Sequence, residues 1–250
     1  MGNIIAVTGK GGTGKTTIAA LIIRALLDKR AGLILGVDAD PNSTLADAIG
    51  LKVEDSISSI CEEMLEKKES LPAGMTKDRF LEYKIQQSIV EKDNLSLLTM
   101  GRPEGPGCYC FVNNLLKGMI KNLTDDYDFT VADNEAGMEH LSRKTMRKID
   151  VLFVVSDFSI VGVRSASRIY GLAKSMNIKL GKSFLIINKS KGTVAPLDKE
   201  IQDSGLTLAG LLPFDSEIEK FSLEGQSIFD LPEGSESIKR IGEIIDNAIR

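Results

Sequence analysis

The chain has 250 residues, 42% of them hydrophobic, with 31 basic against 35 acidic side chains and a net charge of −4. That length and apolar content suffice for a sizeable core and exclude a disordered chain, while the near balance of charge gives no support for nucleic-acid binding by bulk electrostatics. Three cysteines are odd in number and too few for a disulfide framework.

In chain order, Met1-Gly2-Asn3 is not a basic leader, and the apolar run Ile4-Ile5-Ala6-Val7-Thr8 is far too short to span a bilayer. A cytoplasmic enzyme is expected. The run is β-branched and leads into Gly9-Lys10-Gly11-Gly12-Thr13-Gly14-Lys15-Thr16, and Thr17 opens a helix-forming stretch to Leu27. Strand, glycine loop and helix are the context that makes the G-x-x-x-x-G-K-[ST] pattern a phosphate cradle. Glycines let backbone N–H groups turn inward around a polyphosphate, and the helix N-terminus adds partial positive charge. Lys15 is placed to reach the β- and γ-phosphates of ATP, or the β-phosphate of ADP, and the Thr16 hydroxyl to ligate Mg²⁺.

Lys10 is not needed by an ordinary cradle, and a lone surface lysine is usually a solvated charge. Here the Gly9–Thr16 run resembles the deviant Walker A of the MinD/ParA/nitrogenase iron-protein class of P-loop ATPases. The resemblance implies that Lys10 crosses a dimer interface to the partner's nucleotide.

Leu33–Asp38 predicts a second buried strand, ending in the carboxylate-bearing turn Asp38-Ala39-Asp40-Pro41-Asn42-Ser43-Thr44. Val53–Lys68 and Lys77–Lys92 read as helices with one polar face, broken by Ser70–Gly74. Their charge predicts a helical lid or insertion over about residues 53–92, outside the sheet. Cys61, in the first of these helices, is expected to be a small core residue. Asn94–Met100 is a further strand, running into a glycine–proline loop, Gly101 to Cys110, with a helix expected from Phe111 to Leu123. Phe129–Asp133 is a strand ending in a carboxylate; Val151–Val155, Ser183–Asn188 and Leu208–Pro213 are three more. Continuous apolar strands alternating with amphipathic helices predict a single-domain α/β P-loop NTPase fold over 1–250, its mainly parallel sheet covered by helices on both faces.

In such sheets ligands bind beyond the carboxyl ends of the strands. Asp38, Asp40 and Asp133 each follow a strand. One alone is readily a helix cap; three around a threonine–Mg²⁺ site are better explained as ligands of metal-bound and attacking water. The class resemblance implies that Asp133 is the Walker B carboxylate and Asp38 the switch I aspartate. Asp40 is a second candidate for orienting the attacking water. Asn188, Pro213 and Asp215 resemble the adenine-contacting positions, with a capping or turn role the alternative for Asn188.

Cys108-Tyr109-Cys110 narrows the function. A glycine–proline loop on the ligand face is a poor place to bury two inert thiols, and a disulfide across one residue is strained. Two thiolates cannot close a tetrahedral metal site, but a twofold dimer supplies four. Thiolates suit Zn²⁺, Cu⁺, iron–sulfur clusters and planar Ni²⁺. Gly101–Cys110 with Asn113-Asn114-Leu115-Leu116, and the stretch Asp133–Arg143, resemble the cysteine loop and switch II of CooC-type nickel-insertion ATPases. The resemblance implies a homodimeric ATPase that binds Ni²⁺ or Zn²⁺ at a dimer-interface Cys₄ site and loads nickel into carbon monoxide dehydrogenase or acetyl-CoA synthase, without nucleic acid or membrane. His140, the one histidine, is expected to pack or hydrogen-bond beside switch II.

Two alternatives stand beside it. An iron–sulfur carrier or iron-protein-like reductase is chemically open, although Ala136 occupies the switch II position where the iron protein carries its second cysteine. A MinD/ParA-type positioning ATPase requires a membrane or DNA surface. The C-terminal stretch Glu236–Ile249 lacks the basic face and bulky aromatics of an interfacial helix, so its isoleucines are expected to pack on the sheet.

Overall fold

β-Branched and leucine-rich runs, in which apolar residues follow one another without alternation, fit a sheet buried on both faces. The computed structural model describes residues 2–66, 75–102, 123–135, 148–176 and 178–249. The strands are β1 (Asn3–Gly9), β2 (Ile34–Ala39), β3 (Val90–Lys92), β4 (Leu95–Thr99), β5 (Phe129–Asn134), β6 (Lys148–Asp157), β7 (Lys179–Ser190) and β8 (Thr207–Pro213). They form one eight-stranded sheet in the order β3-β4-β2-β5-β1-β6-β7-β8. Every pairing is parallel except β3 with β4. The expected α/β architecture is thus the observed one.

The described helices are α1 (Lys15–Asp28), α2 (Thr44–Ile49), α3 (Ile57–Glu66), α4 (Lys77–Ser88), α5 (Ile160–Ser175), α6 (Asp198–Asp203), α7 (Ser216–Glu224) and α8 (Glu236–Ile249). On one face of the sheet, Ile18, Leu21, Ile22 and Leu26 of α1 are buried with Ile241, Ile244 and Ile245 of α8 and with Val7 and Val131 of the central strands. The C-terminal isoleucines therefore serve the core, as their spacing predicts.

The opposite face corrects the expected lid over 53–92. Ile57, Ile60 and Cys61 of α3 and Leu81 and Ile85 of α4 are buried against Leu35, Val37 and Leu98 of the sheet. These apolar positions recur at helical spacing, so each helix has an inward face that must be covered. The two helices form a layer of the core, and Cys61 is a core residue, 3% exposed.

Helix α3 also starts later, and α4 ends earlier, than expected. Ser56 and Ser59 exchange hydrogen bonds, the Ser59 N–H to Ser56 Oγ at 3.1 Å and the Ser56 N–H to Ser59 Oγ at 2.9 Å, a reciprocal cap that starts α3 at Ile57. At the far end, residues 90–92 are strand, not helix. Val90 pairs with Leu97 and Lys92 with Leu95, and Asp93 makes the turn between them in the left-handed region, φ 52. The helix expected at 111–123 lies outside the described residues up to 122.

Ile241 is fully enclosed between α1 and the sheet. Ile241→Ala is expected to lower the unfolding free energy by about 2–5 kcal/mol, measured by urea denaturation.

Candidate functional site

Three neighbouring strands build the site. Asp38 of β2 stands level with Asp133 of β5, and Asp133 with Val7 of β1. The parallel register therefore brings two carboxylates into a row beneath the loop that β1 feeds.

That loop is closed from within. The Thr13 hydroxyl donates to the Lys10 carbonyl at 2.8 Å, and the Thr13 N–H reaches the same oxygen at 3.3 Å. Gly12 and Gly14 have φ of 79° and 89°, a region that only glycine enters freely. Gly9 is buried at the end of β1, Lys10, Gly11 and Gly12 are exposed, Lys15 is buried at the start of α1, and Thr17 is half-buried. Around Gly11 and Gly12 an added Cβ would meet nothing within 4 Å. The loop thus leaves open space where a phosphate needs it.

The Thr16 hydroxyl donates to Asp133 Oδ2 at 2.6 Å and lies 3.3 Å from the Thr44 hydroxyl. Asp133 is fully buried, and its Oδ1 has no hydrogen-bond partner. An orphaned buried carboxylate oxygen beside two hydroxyls is a set of hard oxygen donors that fits Mg²⁺. Burial pushes the Asp133 carboxyl up to about 7, opposed by the Thr16 hydrogen bond; nearby Asp38 raises it further and Lys15 lowers it.

Asp38 and Asp40 have different surroundings. Asp38 is fully buried, and its two oxygens accept from the Leu45 N–H at 2.8 Å and the Asp40 N–H at 3.2 Å. Burial lifts its carboxyl to about 6 against the pull of those backbone donors. It ties the β2–α2 loop to the start of α2. Asp40 is half-buried, and its Oδ1 accepts from both the backbone and the side-chain nitrogen of Asn42 at 2.9 Å.

Asn188, Pro213 and Asp215 come together on a cleft of about 320 Å³, whose apolar wall includes Leu21, Leu212 and Ile218. Asp215 is also the cap of α7. Its Oδ1 accepts from the Glu217 and Ile218 N–H groups at 3.0 and 3.3 Å, and its Oδ2 from the Ser237 hydroxyl at 2.6 Å. Phe214 stands half-exposed at the cleft. Cys108, Cys110 and His140 lie outside the described residues; among the described ones, no group of three or more His, Cys, Asp or Glu is arranged to hold a metal ion.

Sequence reasoning missed Thr44, whose only signal was its place at the end of the Asp-rich turn. It also missed Asn134, fully buried after Asp133, whose side-chain nitrogen donates to the Val7 carbonyl at 3.0 Å and so fastens the end of β5 to β1.

Residues 4–228 match the CobQ/CobB/MinD/ParA nucleotide binding domain. The chain is 45% identical over 249 residues to an ATP-binding protein of Methanocaldococcus jannaschii, covering 98% of each. It is 30% identical over 241 residues to the carbon monoxide dehydrogenase accessory protein CooC of Rhodospirillum rubrum, covering 91% of this chain and 89% of that one. A ParA family ATPase from Chlorobium tepidum shares the fold, with a TM-score of 0.73 at 19% identity over the whole of both chains.

A carboxyl raised by burial favours the folded state at low pH, and that contribution is lost as pH rises from the unfolded value through the folded one. In metal-free protein, Asp133→Asn is therefore expected to be more stable than the parent at pH 8, by about 2–4 kcal/mol given a carboxyl at about 7. The difference should shrink as pH falls from 7 toward 4, measured by denaturation in chelator.

Proposed function

Because the chain belongs to the CobQ/CobB/MinD/ParA nucleotide-binding family, whose members hydrolyse ATP, we propose that it is a nickel metallochaperone ATPase serving carbon monoxide dehydrogenase, acetyl-CoA synthase or both. The ATPase is carried by one observation: the 2.6 Å hydrogen bond from Thr16 to the buried, half-satisfied Asp133 at the mouth of the glycine loop. The client is supported by the relative named as a carbon monoxide dehydrogenase accessory protein, similar over nine-tenths of this chain.

In this reading the whole chain is one cytoplasmic ATPase domain. Backbone N–H groups of Gly9–Thr17 and the Lys15 ammonium bind the phosphates, and Thr16 with Asp133 holds Mg²⁺. When bound, Mg²⁺ would supply charge neutralisation at the phosphate oxygens. Asp40 orients the attacking water: it stands at the loop surface, whereas both oxygens of Asp38 are held by backbone donors. Asp38 then acts by shaping the loop. Water adds to the γ-phosphorus as its bond to ADP oxygen breaks, giving ADP and phosphate.

Lys10 is exposed at the rim of the cradle, a position suited to reaching the partner's nucleotide across a twofold axis. The same axis supplies the Cys108 and Cys110 pairs of two chains, and the Cys₄ site takes Ni²⁺ or Zn²⁺ as cargo. No described helix is long and apolar enough to cross a membrane.

Lys15→Ala should reduce ATP turnover at least about 100-fold. Asp40→Asn should slow it by about 10²-fold or more while ATP affinity changes little. Steady-state phosphate release and calorimetric titration measure both. Equilibrium dialysis against Ni²⁺ and Zn²⁺, with and without ADP, tests the cargo site: the Cys108→Ala/Cys110→Ala double variant should lose uptake, and undiminished uptake would refute it.

A further inference from the structure

Asn188 stands level with Asp157 of β6, yet its side chain crosses to the phosphate loop. Its Nδ2 donates to the Thr13 carbonyl at 2.9 Å, and its Oδ1 accepts the Lys189 N–H at 2.9 Å. Lys189 has φ 53, a left-handed conformation uncommon outside glycine. The chain therefore bends back to grip the amide's oxygen end. The two contacts also fix the amide's sense, since a flip would set oxygen against oxygen and donor against donor.

The loop is shaped to admit it. A Cβ on Gly14 would lie 2.4 Å from Asn188 Nδ2, so a side chain at position 14 and this amide cannot share the space. The consequence follows from peptide planarity. The Thr13 carbonyl and the Gly14 N–H belong to one peptide unit and, when it is trans, point in opposite directions. Anchoring the carbonyl toward Asn188 turns the Gly14 N–H the other way. A carbonyl that accepts a hydrogen bond also polarises its own peptide, which strengthens that N–H as a donor.

We propose that Asn188 is a positioning residue for the phosphate cradle, setting the Thr13–Gly14 peptide so that phosphate affinity depends on Asn188 even when the ligand has no base. This rests on the assignment of the cradle to nucleotide and deepens it, because Asn188 then acts through the loop and not only as a wall of the cleft. Base recognition and phosphate grip share one side chain.

The test compares Mg²⁺-ATP with Mg²⁺-tripolyphosphate, which has the phosphates and no base, in calorimetric titrations of the full chain. Asn188→Asp keeps the acceptor for Lys189 but has no donor for Thr13; Asn188→Ala drops the donor without adding charge. Whichever variant retains the parent's circular dichroism and cooperative melt decides. Tripolyphosphate is expected to weaken roughly tenfold and ATP by at least that factor, and kcat at saturating ATP is expected to fall. Tripolyphosphate affinity equal to the parent's, with ATP alone weakened, would show a base contact only and overturn the proposal. Parent protein that bound neither ligand would instead remove the nucleotide assignment beneath it.

Discussion

The hydrogen bond between Thr16 and Asp133 is the contact on which the site depends. It joins the first turn of α1 to the end of β5, two elements far apart in sequence, and it exists because β2, β5 and β1 run parallel in matched register. A one-residue slip of β5 would send its carboxylate to the opposite face of the sheet, where α3, α4 and α5 pack. The register is held by apolar residues on both faces, so the core that buries Val7, Val131 and Val37 also sets the distance between hydroxyl and carboxylate.

The site is also where the fold tolerates unfavourable chemistry. Asp38 and Asp133 are fully buried, stand opposite each other on adjacent strands, and are both raised well above the usual carboxylate range, by burial first. An apolar pair at these positions would stabilise the sheet. Each of the two carboxylates holds a neighbour: Asp38 the backbone of the α2 loop, and Asp133 the Thr16 hydroxyl.

Much of this was legible in the sequence. A β-branched run followed by a glycine loop and an apolar helix has few structural solutions, and strand-end carboxylates mark the ligand side of a parallel sheet. The difference in surroundings between Asp38 and Asp40 was not legible, because it depends on which carboxylate the backbone of the following turn captures. The layer made by α3 and α4 was misread as a lid because the high charge of their outer faces masked short apolar stripes. Strand β3 was hidden by its brevity, and only the Asp93-Asn94 turn marked it. Asn188 was legible as a cleft residue; its bond to the Thr13 carbonyl was not, since nothing in sequence sets residues 13 and 188 side by side.

Helix α1 is apolar around most of its girth, with Ile18, Ala19, Leu21, Ile22, Ile23 and Leu26 all enclosed. A rod so thoroughly embedded behaves as a fixed post: shifting it by even an ångström would open voids throughout the main core. Lys15 and Thr16 are bolted to that post, so exchange of one ligand for another leaves them where they are. The turn after β2, where Ser43 adopts φ 52, is moored to the same frame, because Asp38 holds its Asp40 and Leu45 N–H groups and Leu45 is sunk in the core.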